Sequence, residues 1–250
     1  MSEETIYAKM IGGVLRRIDR EQEGNIKKAA MLVADAIQKD QVIHLYAGGG
    51  HTWIPILEVF FRAGGFACMD AFLDYGISPF NQAIHYLNFE RLPGYGKAVI
   101  DYFNPKEGEV IIIVHNIGVN NATVDAALEC KRRGMKVIAV SSSEWHKKLP
   151  LDAPIRHKSG KSLFDIADVS IDDCNPFGDA QVEVKGVGTP MFPTSTFGDT
   201  YIMHRIEIEA AKELVKRGVE PPIFRSANVP GGDQYNAKMI EKYFNRVKFL

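Results

Sequence analysis

The stretch Val110–Asn121, V-I-I-I-V-H-N-I-G-V-N-N, decides the fold of this chain. Five apolar residues run into a short polar turn with one glycine, and a helical pattern begins at about Asn120. A short apolar run bounded by a turn is typical of a buried parallel strand. The first backbone N–H groups of a helix have no intrahelical partners and lie at the positive end of the helix dipole. The stretch therefore predicts a strand that leads into an anion-binding helix N-terminus.

Composition and charge narrow the classes of function. The 250 residues carry 30 Lys and Arg against 31 Asp and Glu, which gives a formal net charge of −1. Because there is no basic run, nucleic acid is not expected as a partner. The start of the chain is charged throughout, and no apolar run approaches the roughly 18 residues that a membrane span needs. We therefore expect a cytoplasmic protein that does not interact with membranes.

Cofactor and metal motifs are missing from the sequence. The three cysteines, Cys68, Cys130 and Cys174, are widely spaced and form no C-x-x-C pair, so we expect reduced, buried side chains rather than disulfides or a zinc site. No H-x-x-x-H or H-E-x-x-H motif occurs, and both a P-loop and a complete dinucleotide-binding glycine pattern are absent. We expect no metal and no cofactor.

The whole chain follows a pattern of helices first and then alternating strands and helices. Strands are predicted at 42–46, 110–114, 136–141, 168–172 and 181–184, with a further candidate at 66–69, and the aromatic segment 70–96 gives no clear pattern. Helices are predicted at 7–18, 25–38, 53–61, 120–133, 195–217 and 232–247. This predicts one doubly wound α/β domain over 1–250 with a five-stranded parallel sheet. Its parts are an N-terminal helical pair (1–40), a sheet core (41–218) and a C-terminal extension with a helix (219–250).

Polar turns follow several predicted strands. In a doubly wound sheet, ligands bind outside the carboxyl ends of the strands where the chain order reverses. We therefore expect the turns at 48–52, 115–120 and 141–144 and the helix start at 194–196 to form one pocket for a phosphate or similar anion. The candidate binding residues are Gly49, Gly50, Thr52, His115, Asn116, Gly118, Asn120, Ser141, Thr194, Ser195 and Thr196, to which the loop 156–161 adds Ser159.

Several motifs resemble those of the sugar isomerase, or SIS, domain. They are the G-x-G-H-[ST] turn at 48–52, the N-x-G-x-N turn at 116–120 and the hydroxyl-rich helix start at 194–196. Longer stretches resemble stand-alone SIS proteins described as phosphosugar isomerases, namely 90–95, 156–161, 178–180, 193–196, 218–222, 226–228 and 231–233. The resemblance spans nearly the whole chain. It implies a flavodoxin-like five-stranded sheet, a homodimer or higher homo-oligomer, and phosphosugar binding at the strand ends.

The second turn departs from the family pattern. SIS phosphate turns commonly read S-x-S-G-x-[ST], whereas this chain has His115 and Ile117 at the serine positions and Asn120 at the last. Gly118 still allows close backbone approach, and Asn116 and Asn120 carry amide donors. Either the ligand carries a different anion, such as a sulfonate, sulfate or carboxylate, or a phosphate binds through other loops. His115 is either an imidazolium beside the anion or a neutral residue that closes the strand end.

An aldose–ketose isomerase needs a base that moves a proton between C1 and C2 through a cis-enediol, and a fixed grip on the anion. The resemblance to SIS isomerases and N-acetylmuramate phosphate etherases implies Glu58 or Glu90 as the carboxylate. His51, in the glycine turn, and His157, in the loop R-H-K-S-G-K, are the favoured catalytic histidines. His44 is expected to be a hydrogen-bonded core residue, and the other histidines, His85, His146 and His204, belong to no cluster.

These observations predict an isomerase of an anionic sugar, either a phosphosugar or a sulfonated or sulfated sugar. Two alternatives stay open. A lyase or etherase that eliminates beside a carbonyl uses the same two glutamates, and a non-catalytic sugar-sensing module uses none.

Overall fold

The computed structural model describes residues 3–250, and its centre is one parallel sheet. The strands are β1 Ile43–Ala47, β2 Met69–Ala71, β3 Val110–Val114, β4 Lys136–Ser141 and β5 Val169–Asp172. They pair in parallel in the order β2-β1-β3-β4-β5. The predicted doubly wound, flavodoxin-like α/β fold is confirmed. The chain order reverses between β1 and β3, which is where such sheets bind ligands.

Helices cover both faces of the sheet. Their bounds are α1 Glu3–Gln38, α2 Trp53–Val59, α3 Ala83–Glu90, α4 Tyr95–Phe103, α5 Asn121–Arg132, α6 Ser143–Lys148, α7 Ser195–Lys216 and α8 Gly232–Tyr243. Side chains alternate along each strand, so Leu45 and Ile112 pack into the apolar core beside α1 and α7, while Ile111 and Ile113 pack beside α4 and α5. Because both faces are covered, the central strand β3 is apolar throughout.

The predicted pair of N-terminal helices is wrong, because α1 is one continuous helix. The charged stretch 19–24, which lies between the two predicted helices, is itself helical, and ion pairs on its solvent side stabilise it. Arg17 Nε lies 3.0 Å from Glu21 Oε2, and Lys27 Nζ lies 2.5 Å from Glu23 Oε1. Such i,i+4 pairs support helix in a segment that has no apolar stripe of its own.

The predicted last strand at 181–184 is also wrong. Val182 makes only an isolated antiparallel bridge to Met191, within the segment between β5 and α7. That segment is rich in proline and glycine, which interrupt the pairing of a strand. The sheet still has five strands because it includes β2, which pairs with β1. β2 begins at the last residue of the candidate run 66–69.

Other expectations concern single elements. The aromatic segment 70–96 contains β2, two 3₁₀ turns, α3 and the start of α4, and Glu90 lies at the end of α3. The cysteines are buried and unpaired, as expected. Among the described residues, no helix is both long and apolar enough to cross a bilayer.

Candidate functional site

The glycine turn after β1 lies against the C-terminal end of α3. A Cβ on Gly49 would lie 2.1 Å from Glu90 Oε2, and a Cβ on Gly50 would lie 2.8 Å from the Tyr86 hydroxyl oxygen. Only glycine leaves room for these two side chains. Thr52 Oγ1 donates to the Gly49 carbonyl and closes the turn. The structure thus brings Gly49, Gly50 and Glu90 together, and it adds Tyr86, which the sequence pattern did not single out.

The Glu90 carboxylate is buried without compensation. The residue is 8% exposed, and its carboxylate has no hydrogen-bond partner within residues 3–250. Burial raises the pKa of Glu90 to about 7, although the charge of the neighbouring Arg91 acts in the opposite direction. Burial, followed by the charge of Glu90, raises the pKa of Tyr86. Carboxyl groups with a pKa near neutrality are typical of proton-transfer sites.

The turn after β3 adjoins the glycine turn. Asn120 Nδ2 donates to the Gly48 carbonyl at 3.1 Å, and Asn120 Oδ1 accepts the Thr123 N–H at 2.9 Å. Asn120 therefore caps α5 and ties the two turns together. The next N–H groups of the helix, those of Asn121 and Ala122, have no hydrogen-bond partner among the described residues. The strand, the turn and an open helix N-terminus are all present.

His115 is buried and neutral. Its Nδ1 accepts the Gly118 N–H at 3.0 Å, so the ring carries its proton on Nε2. Burial, with a smaller contribution from nearby His146, lowers the pKa of His115 to about 3. Of the two alternatives for His115, the structure favours the neutral residue that closes the strand end.

Other polar groups of the second turn bind to the protein itself. Asn116 Nδ2 donates to Asp173 Oδ2 at 2.7 Å, and Ser141 Oγ lies 3.1 Å from both the Asn116 carbonyl and His146 Nε2. A Cβ on Gly118 would lie 2.3 Å from Ser141 Oγ, so this close approach requires glycine. The amides of Asn116 and Asn120, expected to donate to a ligand, both have protein acceptors in this structure.

The start of α7 holds an anion supplied by the chain itself. The Asp179 carboxylate accepts the N–H groups of Thr194 and Ser195 at 3.0 Å each, and Ser195 Oγ at 2.8 Å. Thr194 Oγ1 donates to Asn175 Oδ1, and Thr196 is partly exposed. Asp179 was not anticipated from the sequence. Its carboxylate occupies the donors that we expected to bind the ligand.

The two favoured histidines have different surroundings. His51 is exposed on the glycine turn. His157 is buried, with Nε2 3.1 Å from Asp125 Oδ1 and Nδ1 accepting the Ser159 N–H at 3.1 Å. The His157 N–H donates to the Val119 carbonyl at 2.8 Å. The loop 156–161 therefore packs on the second turn, and His157 connects that loop to α5.

Glu58 lies in a different cluster, together with His204. His204 Nε2 lies 3.5 Å from Glu58 Oε1 and its Nδ1 lies 3.3 Å from Glu207 Oε2, while Arg62 Nη2 lies 3.2 Å from Glu58 Oε1. These side chains line a cavity of about 430 Å³ between α2 and α7. Glu207 and then Glu58 raise the pKa of His204. The sequence offered only the His204–Glu207 spacing as a signal, because Glu58 lies far away along the chain.

The remaining histidines, His44, His85 and His146, have separate surroundings. His44 is buried, and both of its ring nitrogens contact carboxylates, which confirms the prediction of a satisfied core residue. His85 is exposed, and His146 contacts Ser141. Within the part of the chain that the structure describes, no three His, Cys, Asp or Glu side chains are grouped to hold a metal ion. That the protein needs no metal stays a prediction.

The region that holds both turns matches a known domain. The family model of the SIS domain covers residues 6–142, more than half of the chain. The chain belongs to the SIS domain family. The resemblance seen in the sequence motifs is therefore confirmed, and the turns at 48–52 and 115–120 both lie inside the region of the SIS domain match.

Relatives of this SIS family protein match almost its whole length. A UPF0309 protein from Caldanaerobacter subterraneus subsp. tengcongensis is 37% identical over 248 residues, which cover 98% of this chain and 99% of the relative. A UPF0309 protein from Thermoanaerobacter pseudethanolicus is 38% identical over 240 residues, 94% of this chain and 95% of the relative. Among solved structures, a phosphoheptose isomerase from Francisella tularensis is similar with a TM-score of 0.54 and 14% identity, covering 85% of this chain and 99% of that one. The SIS protein and this isomerase share a fold.

Proposed function

We propose that this SIS family protein is an aldose–ketose isomerase that acts on a sugar with an anionic group. The observation that carries the proposal is the Glu90 carboxylate, which is buried against Gly49 and has a pKa of about 7. Isomerisation needs one group that first accepts and then returns a proton. A carboxyl group whose pKa lies near the ambient pH suits both steps.

Glu90 is the base in this proposal. In its ionised form it takes the proton from C2 of the aldose, which gives the cis-enediol, and it then returns the proton to C1, which gives the ketose and restores the carboxylate. Tyr86, whose hydroxyl borders Gly50, is our candidate for passing a proton between the two sugar oxygens. Burial of the site supports this assignment, since electrostatic interactions are stronger where water is excluded.

We assign the grip on the anion to the start of α5. The unpartnered N–H groups of Asn121 and Ala122 lie at the positive end of the helix dipole. Backbone N–H groups bind the oxygens of a phosphate, a sulfonate or a sulfate alike. The turn 115–120 has no hydroxyl side chain, and the partly exposed Ile117 stands where the family commonly has a serine. We favour a phosphosugar, because the solved structure that shares the fold is that of a phosphoheptose isomerase. A sulfonated or sulfated sugar is the second choice.

Glu58 is the rival base, because it shares a cavity with His204. Glu58 is about one-third exposed, with a side-chain exposure of 32%, and its charge is balanced by Arg62 and His204. Glu90 is buried, and no side chain of residues 3–250 forms an ion pair with it. We therefore favour Glu90, and the two glutamates are compared directly in the test.

The test is a ketol-isomerase assay on a panel of aldose phosphates and sulfonated aldoses. Glu90→Gln is expected to lower turnover by about 10²- to 10⁴-fold, which is the usual contribution of general acid–base catalysis. Glu220→Gln, on the exposed surface after α7, is the control and should match the wild type. Full activity in Glu90→Gln with a loss confined to Glu58→Gln and His204→Asn would contradict our assignment.

The same proteins separate the two alternative functions. A lyase or etherase releases lactate from a lactyl-ether sugar phosphate and forms no ketose. A sensor is stabilised by its ligand, by about 2.7 kcal/mol at 100 times Kd, without converting it. The isomerase proposal predicts that Glu90→Gln keeps this ligand-induced stabilisation in a thermal-shift measurement and loses turnover.

A further inference from the structure

Two buried aspartates, Asp173 and Asp199, meet beside the second turn. Asp173 directly follows β5, Asp199 lies near the start of α7, and they are 0% and 1% exposed. The two carboxyl groups interact directly, and burial raises the pKa of Asp173 to about 7 and that of Asp199 well above its usual range. Two ionised carboxylates in contact repel each other, and neither has a proton to share in a hydrogen bond. One of the two is therefore a carboxylic acid.

The hydrogen-bond partners identify Asp199 as the acid. Asp173 Oδ2 accepts Asn116 Nδ2 at 2.7 Å, and Asp173 Oδ1 accepts the Asn175 N–H at 2.8 Å, which stabilises an ionised Asp173. Asp199 Oδ1 is buried and has no hydrogen-bond partner among the residues that the structure describes, so an ionised Asp199 would be uncompensated. Burial, together with the charges of Asp173 and Asp179, raises the pKa of Asp199 well above its usual range.

The charged groups around the pair favour retention of this proton. Asp172 of β5 and Asp179 of the segment before α7 add negative charge beside it. On α1, the guanidinium of Arg17 donates to the carbonyl of residue 174 at 3.3 Å and is paired with Glu21. On the side of the second turn, His115 is neutral.

We propose that Asp199 is a positioning residue whose carboxylic acid donates a hydrogen bond to Asp173, so that Asp173 holds the Asn116 amide and fixes the turn 115–120 for anion binding. The anion in this statement rests on the proposed function. The Asn116 carbonyl in turn accepts the Ser142 N–H at 2.9 Å, which links the turn to the end of β4. The conformation of the turn therefore depends on a chain of hydrogen bonds that begins at Asp199.

Three substitutions separate this role from simple packing. Asp199→Asn keeps a donor at every pH, whereas Asp199→Leu removes it. Asp173 accepts one N–H group with each of its two oxygens, whereas Asp173→Asn leaves only one acceptor oxygen and adds an NH₂ donor. Asp152→Asn, on the exposed surface after α6, is the control.

The protonation state and the turn are measured without any ligand. In carboxyl ¹³C NMR, Asp199 should keep the signal of a protonated acid at about pH 7, where an ordinary aspartate is ionised. Hydrogen exchange of the Ser142 amide should be about tenfold or more faster in Asp199→Leu and Asp173→Asn, and within about twofold of wild type in Asp199→Asn and the control. An ionised Asp199 in the wild type, or equal exchange in the Asn and Leu variants, would overturn the proposal.

The link to the anion is measured with glucose 6-phosphate and fructose 6-phosphate in thermal-shift experiments. The stabilisation by these probes should fall in the wild type as the pH is raised and the pair loses its proton, and it should persist in Asp199→Asn. An identical pH dependence in the two proteins overturns the role of Asp199 in anion binding. If neither probe stabilises any variant while the ¹³C and exchange results hold, the proposed function is at fault and the aspartate pair stands.

Discussion

His44 Nδ1 lies 2.9 Å from Asp70 Oδ2, at the end of the sheet opposite the glycine turn. On the other side of the ring, Nε2 lies 2.8 Å from Glu109 Oε2. A neutral imidazole can donate to only one of the two carboxylates, so this geometry requires an imidazolium. Burial lowers the pKa of His44, but the hydrogen bonds with Asp70 and Glu109 outweigh it, and the pKa is raised overall.

Replacing His44 should destabilise the fold in a pH-dependent way. His44→Gln removes the positive charge between the Asp70 and Glu109 carboxylates, and breaking a buried ion pair typically costs about 3–5 kcal/mol of unfolding free energy. Because the folded pKa is raised, the stabilisation is fully present below the unfolded value of about 6.5 and is lost as pH rises through the folded value. Urea unfolding at a series of pH values measures this, with the exposed His85→Gln as control. Equal losses in the two variants would contradict the ion-pair interpretation.

The activity should follow the ionisation of Glu90. Only the carboxylate form accepts a proton, so kcat/KM should rise with pH through a midpoint near the Glu90 pKa of about 7. A pH–rate profile in the aldose-to-ketose direction provides the measurement. A midpoint near the ordinary value for glutamate, about 4.3, would rule out the buried carboxylate as the base.

Glu90 should also reduce the stability of the fold at alkaline pH. Its folded pKa of about 7 lies above the unfolded value, so the acid form is favoured in the folded state and this stabilisation disappears as pH rises through 7. Glu90→Gln removes the buried charge and should raise the unfolding free energy by about 1–3 kcal/mol at alkaline pH. The difference should shrink near pH 4. Thermal or urea unfolding at both pH values tests the sign of the effect.

Gly49→Ala should separate the carboxylate from the glycine turn. The added Cβ would lie 2.1 Å from Glu90 Oε2, so the side chain must move. We expect a loss of about 1–3 kcal/mol of stability. Turnover should fall about 10²-fold or more, which is typical when a catalytic group is misplaced. Gly13→Ala is the matched control, because its Cβ meets no atom within 4 Å and the residue is helical. An active Gly49→Ala enzyme would show that this contact is dispensable.

Asp179→Ala should weaken the start of α7. The variant leaves the N–H groups of Thr194 and Ser195 without their carboxylate acceptor, a loss that typically costs about 1–2 kcal/mol. Urea unfolding measures it against Asp152→Ala on the exposed surface. If added sulfate restores the stability of Asp179→Ala and not of the control, the vacated helix start binds anions. No loss of stability would mean that water replaces the carboxylate.

The fold was predictable where apolar periodicity was strong. The run at β3, the glycine turn after β1 and the helix cap at Asn120 each left a local signal, and the structure has all three. The prediction of two separate N-terminal helices was wrong, because ion pairs on the solvent side stabilise α1 across a segment that has no apolar residues. The prediction of a strand at 181–184 was wrong because an alternating pattern does not show whether a partner strand is available for pairing.

The site was less predictable than the fold, because each side chain has partners that come from distant segments. Asn116 binds Asp173, His157 binds Asp125, and His204 binds Glu58, and none of these pairs has a sequence spacing that signals contact. The sequence indicated which residues carry donors. It did not indicate that the chain itself supplies many of the acceptors.

The sheet ends on its two shortest strands, since β2 has three residues and β5 has four. Each edge therefore exposes little unpaired backbone to other molecules. Long, flat edges recruit further strands and seed aggregates, and short ones do not. We expect this protein to resist edge-to-edge polymerisation even when it is concentrated, because growth at either side would gain only a few ladder hydrogen bonds.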